Sequence, residues 1–301
     1  MKCLLIYNPV SGKGKFKDEV PLVRGLVEKK GHTLEVFETS EDEKICDEVT
    51  ELASQYDVFL VAGGDGTLNF VINCIMQVDI NKRPKVLLIP RGTCNDVAHI
   101  FGINKELSNN IDLLDLEPIK TDIGQINEKY FCYSTACGAF SETTYQVKRK
   151  DVNKYGYLAY IKEGIKKTGK NKKIPIKVKH DIGEVSGDFC LAIILNSKKV
   201  AGFTLRFYSE AKMNDGLLEM RLLKAFGFFN MLKIIFFFLF AGTRGIRDKH
   251  LISRNFEVEM PSNVGWNIDG EKGPSGNVFI KTHKEAIEFF VSERSKKKYY
   301  L

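Results

Sequence analysis

Several chemistries are missing from this chain. Its seven cysteines, Cys3, Cys46, Cys74, Cys94, Cys132, Cys137 and Cys190, form no CxxC pair. A zinc site or a disulfide framework is therefore not expected, and free buried thiols in a reducing cytosol are. The five histidines lie far apart and none stands in an HExxH pattern. GxxxxGK[ST] does not occur, which excludes a standard P-loop, and neither does the GxGxxG dinucleotide fingerprint. No internal repeat or low-complexity linker is evident. The opening "MKCLLIYNP" carries one lysine and an apolar run too short for a signal peptide, so a cytoplasmic protein is expected. The densest apolar stretch, "AFGFFNMLKIIFFFLFAGTRGIRDKH" (225–250), holds roughly 16 apolar residues broken by Lys233, short of the ~20 that a membrane span needs. A core helix and an interfacial helix flanked by Arg244, Arg247 and Lys249 compete ahead of a transmembrane reading. An aromatic run this dense must be covered by protein, by lipid or by a partner.

The 301 residues are 44% hydrophobic, enough to bury one large core or two modest ones. The net charge of +7 is unevenly divided. Residues 1–122 hold 14 Lys+Arg against 20 Asp+Glu, a net of −6. Residues 123–301 hold 31 against 18, a net of +13. A basic second half suits an anionic partner, or simply a solvated face. It carries no recognisable nucleic-acid module, so nucleic-acid binding is not expected.

The first part of the chain alternates. Strand-like runs stand at 3–7, 33–38, 57–62 and 85–90, with helical spacing over 16–29, 42–54, 67–76 and 95–103. Pro21 is tolerable only near the start of its helix, and Asn95 or Thr93 suits an N-cap. This alternation predicts an α/β domain over 1–122, a doubly wound parallel sheet with helices on both faces. After about residue 120 the runs become short and β-rich: "YFCYSTAC", "IPIKVKH", "DFCLAIIL", "LLEMRLL", "NFEVEM", "NVFIKT". They predict a mainly antiparallel second domain over 123–284, interrupted by one helix at 154–170, with the segment from about 285 returning to the first domain. The basic end "SERSKKKYYL" reads as partly mobile.

Three stretches sit where parallel strands meet loops: "NPVSGKGK" (8–15), "GGDGT" (63–67) and "RGTCND" (91–96). Ligands of such folds bind beyond the carboxyl ends of the strands. Glycine lets backbone N–H groups approach phosphate oxygens, and helix N-termini add a positive dipole. Gly63, Gly64, Gly66 and Thr67 fit that role, as do Ser11, Gly12 and Gly14, with Lys13 or Lys15 to neutralise charge. Asp65 is the anomaly, a carboxylate in a loop shaped for phosphate. It makes sense if Mg²⁺ held through water stands between them; the plainer reading is a turn or capping aspartate.

Asn8-Pro9-Val10-Ser11-Gly12, Gly63-Gly64-Asp65-Gly66-Thr67 and Gly92-Thr93-Cys94-Asn95-Asp96-Val97-Ala98 together resemble the diacylglycerol/sphingosine lipid kinase family, most closely its soluble bacterial diacylglycerol kinases. "KYGYLAYI" (154–161), "NDGLLEM" (214–220) and "NIDGEKG" (267–273) resemble that family's later motifs, in order along nearly the whole chain. The resemblance implies a nucleotide domain and a β-sandwich-like lipid domain. It implies ATP and Mg²⁺ as cofactors, with nucleotide contacts from Asn8, Pro9, Ser11, Gly12, Thr39, Gly63, Gly64, Asp65, Gly66, Thr67, Asn69, Thr93, Asn95 and Asp96. Glu271 is then the first candidate for the base that takes the lipid hydroxyl proton, Asp269 the second, and Asp65 a third catalytic acid acting on Mg²⁺ through water. A structural Mg²⁺ on the Asp215 side chain and the carbonyls of Lys212 and Leu217 is implied in the same way. Both DG pairs also read as plain hairpin turns. Phe70, Cys94 and His99 depart from the family's commoner Glu, Gly and Arg.

The resemblance implies transfer of the γ-phosphate to a lipid hydroxyl, with diacylglycerol as the default acceptor. Sphingoid bases, ceramide, phosphatidylglycerol, a polyprenol and, on a related fold, NAD stay open, as does a non-catalytic binding protein. The expected partner is a lipid substrate at an anionic membrane surface, reached by a peripherally associated protein; a homodimer is left open.

Overall fold

The computed structural model describes residues 1–9, 16–40, 44–138, 173–200, 202–205, 211–243, 245 and 247–301. Ser11, Gly12, Lys13, Lys15, Arg244 and the helix expected at 154–170 lie outside the described residues. The chain forms two compact units: unit 1 is Met1–Asp122 with Glu285–Leu301, and unit 2 is Ile123–Lys284.

Among its described residues, unit 1 holds β1 (Lys2–Tyr7), β2 (Thr33–Glu38), β3 (Val58–Gly63) and β4 (Lys85–Pro90), all parallel, in the order β2-β1-β3-β4, and Phe289 of the returning segment pairs with Val86 on the far side of β4, also in parallel. Every residue of β3 is buried, as is all of β1 but its first, which is why both read as continuous apolar runs. Helices α1 (Val20–Lys29), α2 (Ile45–Ala53), α3 (Asp65–Ile75), α4 (Asp96–Phe101) and α5 (Leu107–Asp112) accompany them. Val23 and Val27 of α1 and Leu107 and Ile111 of α5 pack on Cys3, Leu5, Leu60 and Leu87 of the sheet. α3 packs on β3 and against α2. In this order the chain reverses direction between β1 and β3. That is the topological switch point, where open α/β sheets bind ligands.

One expectation is corrected here. Cys46 of α2 and Cys74 of α3 are not free thiols but a disulfide, with Cα atoms 5.4 Å apart. The pair is 28 residues apart and follows from helix packing, which Cys spacing cannot reveal. Cys3, Cys94, Cys132, Cys137 and Cys190 are not in a disulfide.

Unit 2 is built from β5 (Ile119–Ile126, from residue 123), β6 (Lys129–Phe131), β7 (Ser134–Gly138), β8 (Ile174–His180), β9 (Gly183–Leu195), β10 (Lys199–Val200), β11 (Phe203–Thr204), β12 (Leu218–Lys224), α6 (Asn230–Leu239), β13 (Lys249–Ser253), β14 (Asn255–Glu259), β15 (Gly265–Ile268), β16 (Glu271–Ser275) and the start of β17 (Val278–Phe289). Its assigned strand pairs are antiparallel. The first half of β9 pairs with β8, and its second half pairs with β7 and β12. One strand thus serves two strand groups, a device of β-sandwiches. Trp266, Phe131, Phe189, Phe256, Met220 and Ile194 meet in a single core. The fold class read from the sequence, α/β followed by mainly antiparallel β, is the one observed.

The structure defines two further segments more closely than the sequence reading. The basic C-terminal segment forms α7 (Glu293–Tyr299), capped by Ser292 and carrying buried Tyr299 and Tyr300; the Tyr300 hydroxyl lies 3.0 Å from Thr121 Oγ1. The aromatic segment is not a core helix, because only Asn230, Ile234 and Phe237 of α6 are buried. No helix among the described residues is long and apolar enough to cross a membrane.

Candidate active site

The carboxyl ends of β1, β2, β3 and β4 carry the loops singled out above. Asn8 and Pro9 follow β1 and are half-buried. Thr39 follows β2 and is buried; its N–H donates to the Tyr7 carbonyl at 2.9 Å, and its hydroxyl reaches the same oxygen at 3.4 Å. Thr39 therefore fastens the ends of β1 and β2 together. The Tyr7 phenol donates to the Glu38 carboxylate. Burial and then this bond push the phenol up to about 12, while the same bond, with Lys17, holds the Glu38 carboxyl below its usual value. The Tyr7 proton stays in place at physiological pH.

Asp65 opens α3 and links the next two loops. Its two carboxylate oxygens accept the backbone N–H groups of Asp96 (3.1 Å) and Val97 (3.2 Å). These are the first two residues of α4, so Asp65 caps a helix it does not belong to. The local cap position is filled by Asn95 in the left-handed region (φ 51°). Its side chain is turned to Gly92, accepting from the Gly92 N–H at 2.9 Å and donating to the Gly92 carbonyl at 2.7 Å. Arg91 anchors the other flank through Glu19, at 3.0 and 2.5 Å, and through the Lys105 carbonyl at 3.2 Å. The sequence reading missed Arg91 and Glu19; the signal was an arginine directly after a strand end.

The glycines have a second reason to be there. A Cβ on Gly92 would stand 2.5 Å from Gly64 Cα and 2.7 Å from Asn95 Oδ1. A Cβ on Gly63 would stand 2.4 Å from Thr67 Oγ1. The β3 and β4 loops touch backbone to backbone, and a methyl group has no room. Gly92→Ala is therefore expected to push the two loops apart, lowering stability by about 1–3 kcal/mol; thermal melting checks it. Thr93 is exposed, Cys94 half-exposed, and Asp96 buried. Asn69 accepts from Asn73 Nδ2 along α3, at 2.8 Å to its carbonyl and 3.2 Å to its side chain.

In unit 2, Asp269 and Gly270 have φ of 47° and 95°, and Ile268 pairs with Glu271 across them. Two successive positive φ values make a two-residue type I′ hairpin. Asp269 is buried, and its carboxylate accepts three backbone N–H groups, Cys132 (2.6 Å), Tyr133 (3.1 Å) and Ser134 (2.9 Å). Asp269 is thus fastened to the backbone of residues 132–134 and has an anchoring task. Glu271, one residue past the turn, is exposed.

Asp215 stands apart from these. Its carboxylate accepts from the N–H of Lys212 (3.2 Å) and of Leu217 (2.9 Å). Burial, assisted by Glu219, raises its pKa above the usual carboxylate value against the lowering effect of those two bonds. Each of its oxygens accepts one of these N–H groups, and a carboxylate oxygen can take more, so a cation fits here. Asp65 also fits one held through water, since each oxygen accepts a single N–H of those given and a carboxylate oxygen can take more. Among the described residues no three His, Cys, Asp or Glu side chains cluster as a metal site. Among the described residues, an ion at either carboxylate would draw on backbone oxygens and water, as Mg²⁺ commonly does.

A parallel sheet with an interlocked glycine-acid-glycine cradle at its switch point is the setting in which open α/β sheets bind their ligands. Comparison with known proteins is more specific. Residues 2–126 match the family model described as the diacylglycerol kinase catalytic domain. A diacylglycerol kinase of Staphylococcus saprophyticus is 30% identical over 296 residues, covering 94% of each chain. One of Staphylococcus epidermidis is 29% identical over 294 residues, covering 93% of this chain and 90% of its own. Among solved structures, a diacylglycerol kinase of Bacillus anthracis has the same fold, with a TM-score of 0.76 at 22% identity over 97% of this chain and 98% of that one. The chain belongs to the diacylglycerol kinase family and is a lipid kinase.

Proposed function

We propose that this enzyme transfers the γ-phosphate of ATP to the hydroxyl of diacylglycerol, giving phosphatidic acid, at an anionic membrane surface. The observation that carries the reading is the Asp65 clasp. A carboxylate fixes the N-terminus of α4 across two glycine loops at the switch point of a parallel sheet. Helix N-termini and glycine backbones of this kind suit phosphate oxygens.

Each group then has a task. Gly63, Gly64, Gly66, Thr67 and Thr93 line the phosphates. Asn8, Pro9, Thr39, Asn69, Asn95 and Asp96 shape the nucleotide pocket, Thr39 and Asn95 chiefly by holding loops. The lipid oxygen attacks the γ-phosphorus, the bond to the ADP oxygen breaks, and the hydroxyl proton passes to Glu271. Asp269 holds the hairpin that carries this base. Bound Mg²⁺ supplies charge neutralisation at the phosphates; Asp65 would hold it through water. Asp215, with the carbonyls of Lys212 and Leu217, would hold a second, structural ion.

That second ion has a direct test. Mg²⁺ is expected to raise Tm and a chelator to lower it; an ion at about a hundred times its Kd adds about 2.7 kcal/mol. The increment grows as pH rises through the raised pKa of Asp215, because only the charged carboxylate needs the cation. In Asp215→Asn, Tm should no longer respond to Mg²⁺.

The acceptor is tested with purified protein, labelled ATP and Mg²⁺ against diacylglycerol, a sphingoid base, phosphatidylglycerol, a polyprenol and NAD, the lipids in mixed micelles. Diacylglycerol should take the label fastest. Preferred labelling of NAD or of another lipid would overturn the proposed substrate.

A further inference from the structure

α6 is apolar on every side, yet half of it faces out. A helix with no polar face is normally buried. Here Asn230, Ile234 and Phe237 form the buried stripe. On the other side Leu232, Phe236, Leu239 and the following Phe240 are 50–66% exposed. Phe228 and Phe229, in the turn before the helix, are 82% and 60% exposed. Phe236 and Phe240 stack at 5.5 Å, and Phe228 meets Phe229 edge-on at 5.8 Å.

Lys233 is the one charge in this helix, and it points inward. Its ammonium bonds the buried Asp248 carboxylate and the Lys224 carbonyl (2.9 Å), and lies 4.7 Å over the Phe226 ring. Asp248 in turn accepts from the Lys224 and Gly245 N–H groups, both at 2.8 Å. The lysine that interrupts the apolar run in the sequence therefore tethers the helix, and the outer face carries no charge. A contiguous exposed apolar patch marks an interaction site.

The surrounding charge selects the occupant. With the inward Lys233 set aside, residues 224–254 contain five Lys+Arg and one Asp, and Arg247 and Lys249, on either side of the Asp248 that Lys233 bonds, are exposed. An apolar helix face rimmed with cations is the pattern of a helix lying in the plane of an anionic bilayer surface. At ten residues α6 is about 15 Å long, half a bilayer core of ~30 Å, so it lies in the interface and does not cross. A second copy of the chain would set the same cations against themselves in a two-fold interface.

We propose that the outer face of α6 and the turn before it insert into the headgroup–acyl boundary of an anionic phospholipid membrane, led by Phe228, Phe229, Leu232, Phe236, Leu239 and Phe240. The proposal rests on the lipid-kinase reading for its purpose, but its test needs neither nucleotide nor acceptor. Sedimentation with vesicles of phosphatidylcholine, with and without phosphatidylglycerol, measures it on the full chain. The wild type should bind the phosphatidylglycerol vesicles more tightly, and less so in high salt. The double variant Phe236→Ser/Phe240→Ser should lose at least about tenfold in partitioning, with melting unchanged because both side chains are exposed. Phe228→Ser should lose several-fold. Ile182→Ser, 87% exposed in the turn between β8 and β9, should bind as the wild type does.

Wild-type binding by the double variant, or no binding by the wild type, overturns the proposal. So does a wild-type dimer in light scattering that the double variant splits while vesicle binding is unchanged. Face-dependent binding without any lipid phosphorylation would sink the proposed function and leave this inference standing; phosphorylation of a lipid without face-dependent binding would do the reverse.

Discussion

Glu271→Gln is expected to lower kcat about 10²–10⁴-fold, the usual worth of a positioned general base, with KM for ATP and thermal stability unchanged. The stability half follows from its setting. Glu271 is exposed at the start of β16, and Gln keeps its shape. What positions it is the hairpin turn and the buried Asp269 carboxylate, bonded to three N–H groups of residues 132–134. Glu271→Gln therefore removes the proposed proton acceptor and leaves its support intact. Asp269→Asn should behave in the opposite way. One of its oxygens becomes an NH₂ facing backbone donors, so melting falls first and kcat falls with it. A kcat for Glu271→Gln within threefold of wild type would remove Glu271 from the mechanism.

Asp65→Asn is expected to cost about 10²–10³ in kcat and about 1–3 kcal/mol in stability. The stability term comes from the clasp. Both oxygens accept N–H groups at the start of α4, and the amide puts a donor where one acceptor was. One first-turn N–H loses its partner, and the helix dipole loses an anion at its positive end. The kcat term comes from the charge itself, which the proposed mechanism uses toward hydrated Mg²⁺. Melting and kinetics, measured together, separate the two. If Asp65 is a cap and nothing more, Tm falls while kcat at saturating ATP stays within about tenfold of wild type.

The parallel sheet was legible because β1, β3 and β4 are buried on both faces and so appear as unbroken apolar runs between helical spacings. The β-rich half was legible from short strands bounded by turn residues, and its DG turn at 269–270 proved a hairpin. What could not be read was long-range pairing. Nothing local to Asp65 reveals that its oxygens cap a helix about thirty residues on. Nothing in "RGTCND" says that Asn95 folds back on Gly92. The glycines were read as room for phosphate; the close contact between Gly64 and Gly92 emerges only when both loops are in place. The Cys46–Cys74 disulfide and the inward turn of Lys233 were hidden for the same reason. Helix packing decides the first, and a buried partner, Asp248, decides the second. The tail "SERSKKKYYL" misled because its lysines outweighed the two tyrosines that bury it.

The central claim is that this chain phosphorylates diacylglycerol from ATP with Glu271 as the base. Single-turnover transfer from γ-labelled ATP to diacylglycerol in mixed micelles, run on the wild type and on Glu271→Gln, tests it most directly. The account predicts label in phosphatidic acid for the wild type and a rate at least a hundredfold lower for the variant. Absence of labelled phosphatidic acid from the wild type, or equal rates for the two proteins, would contradict it.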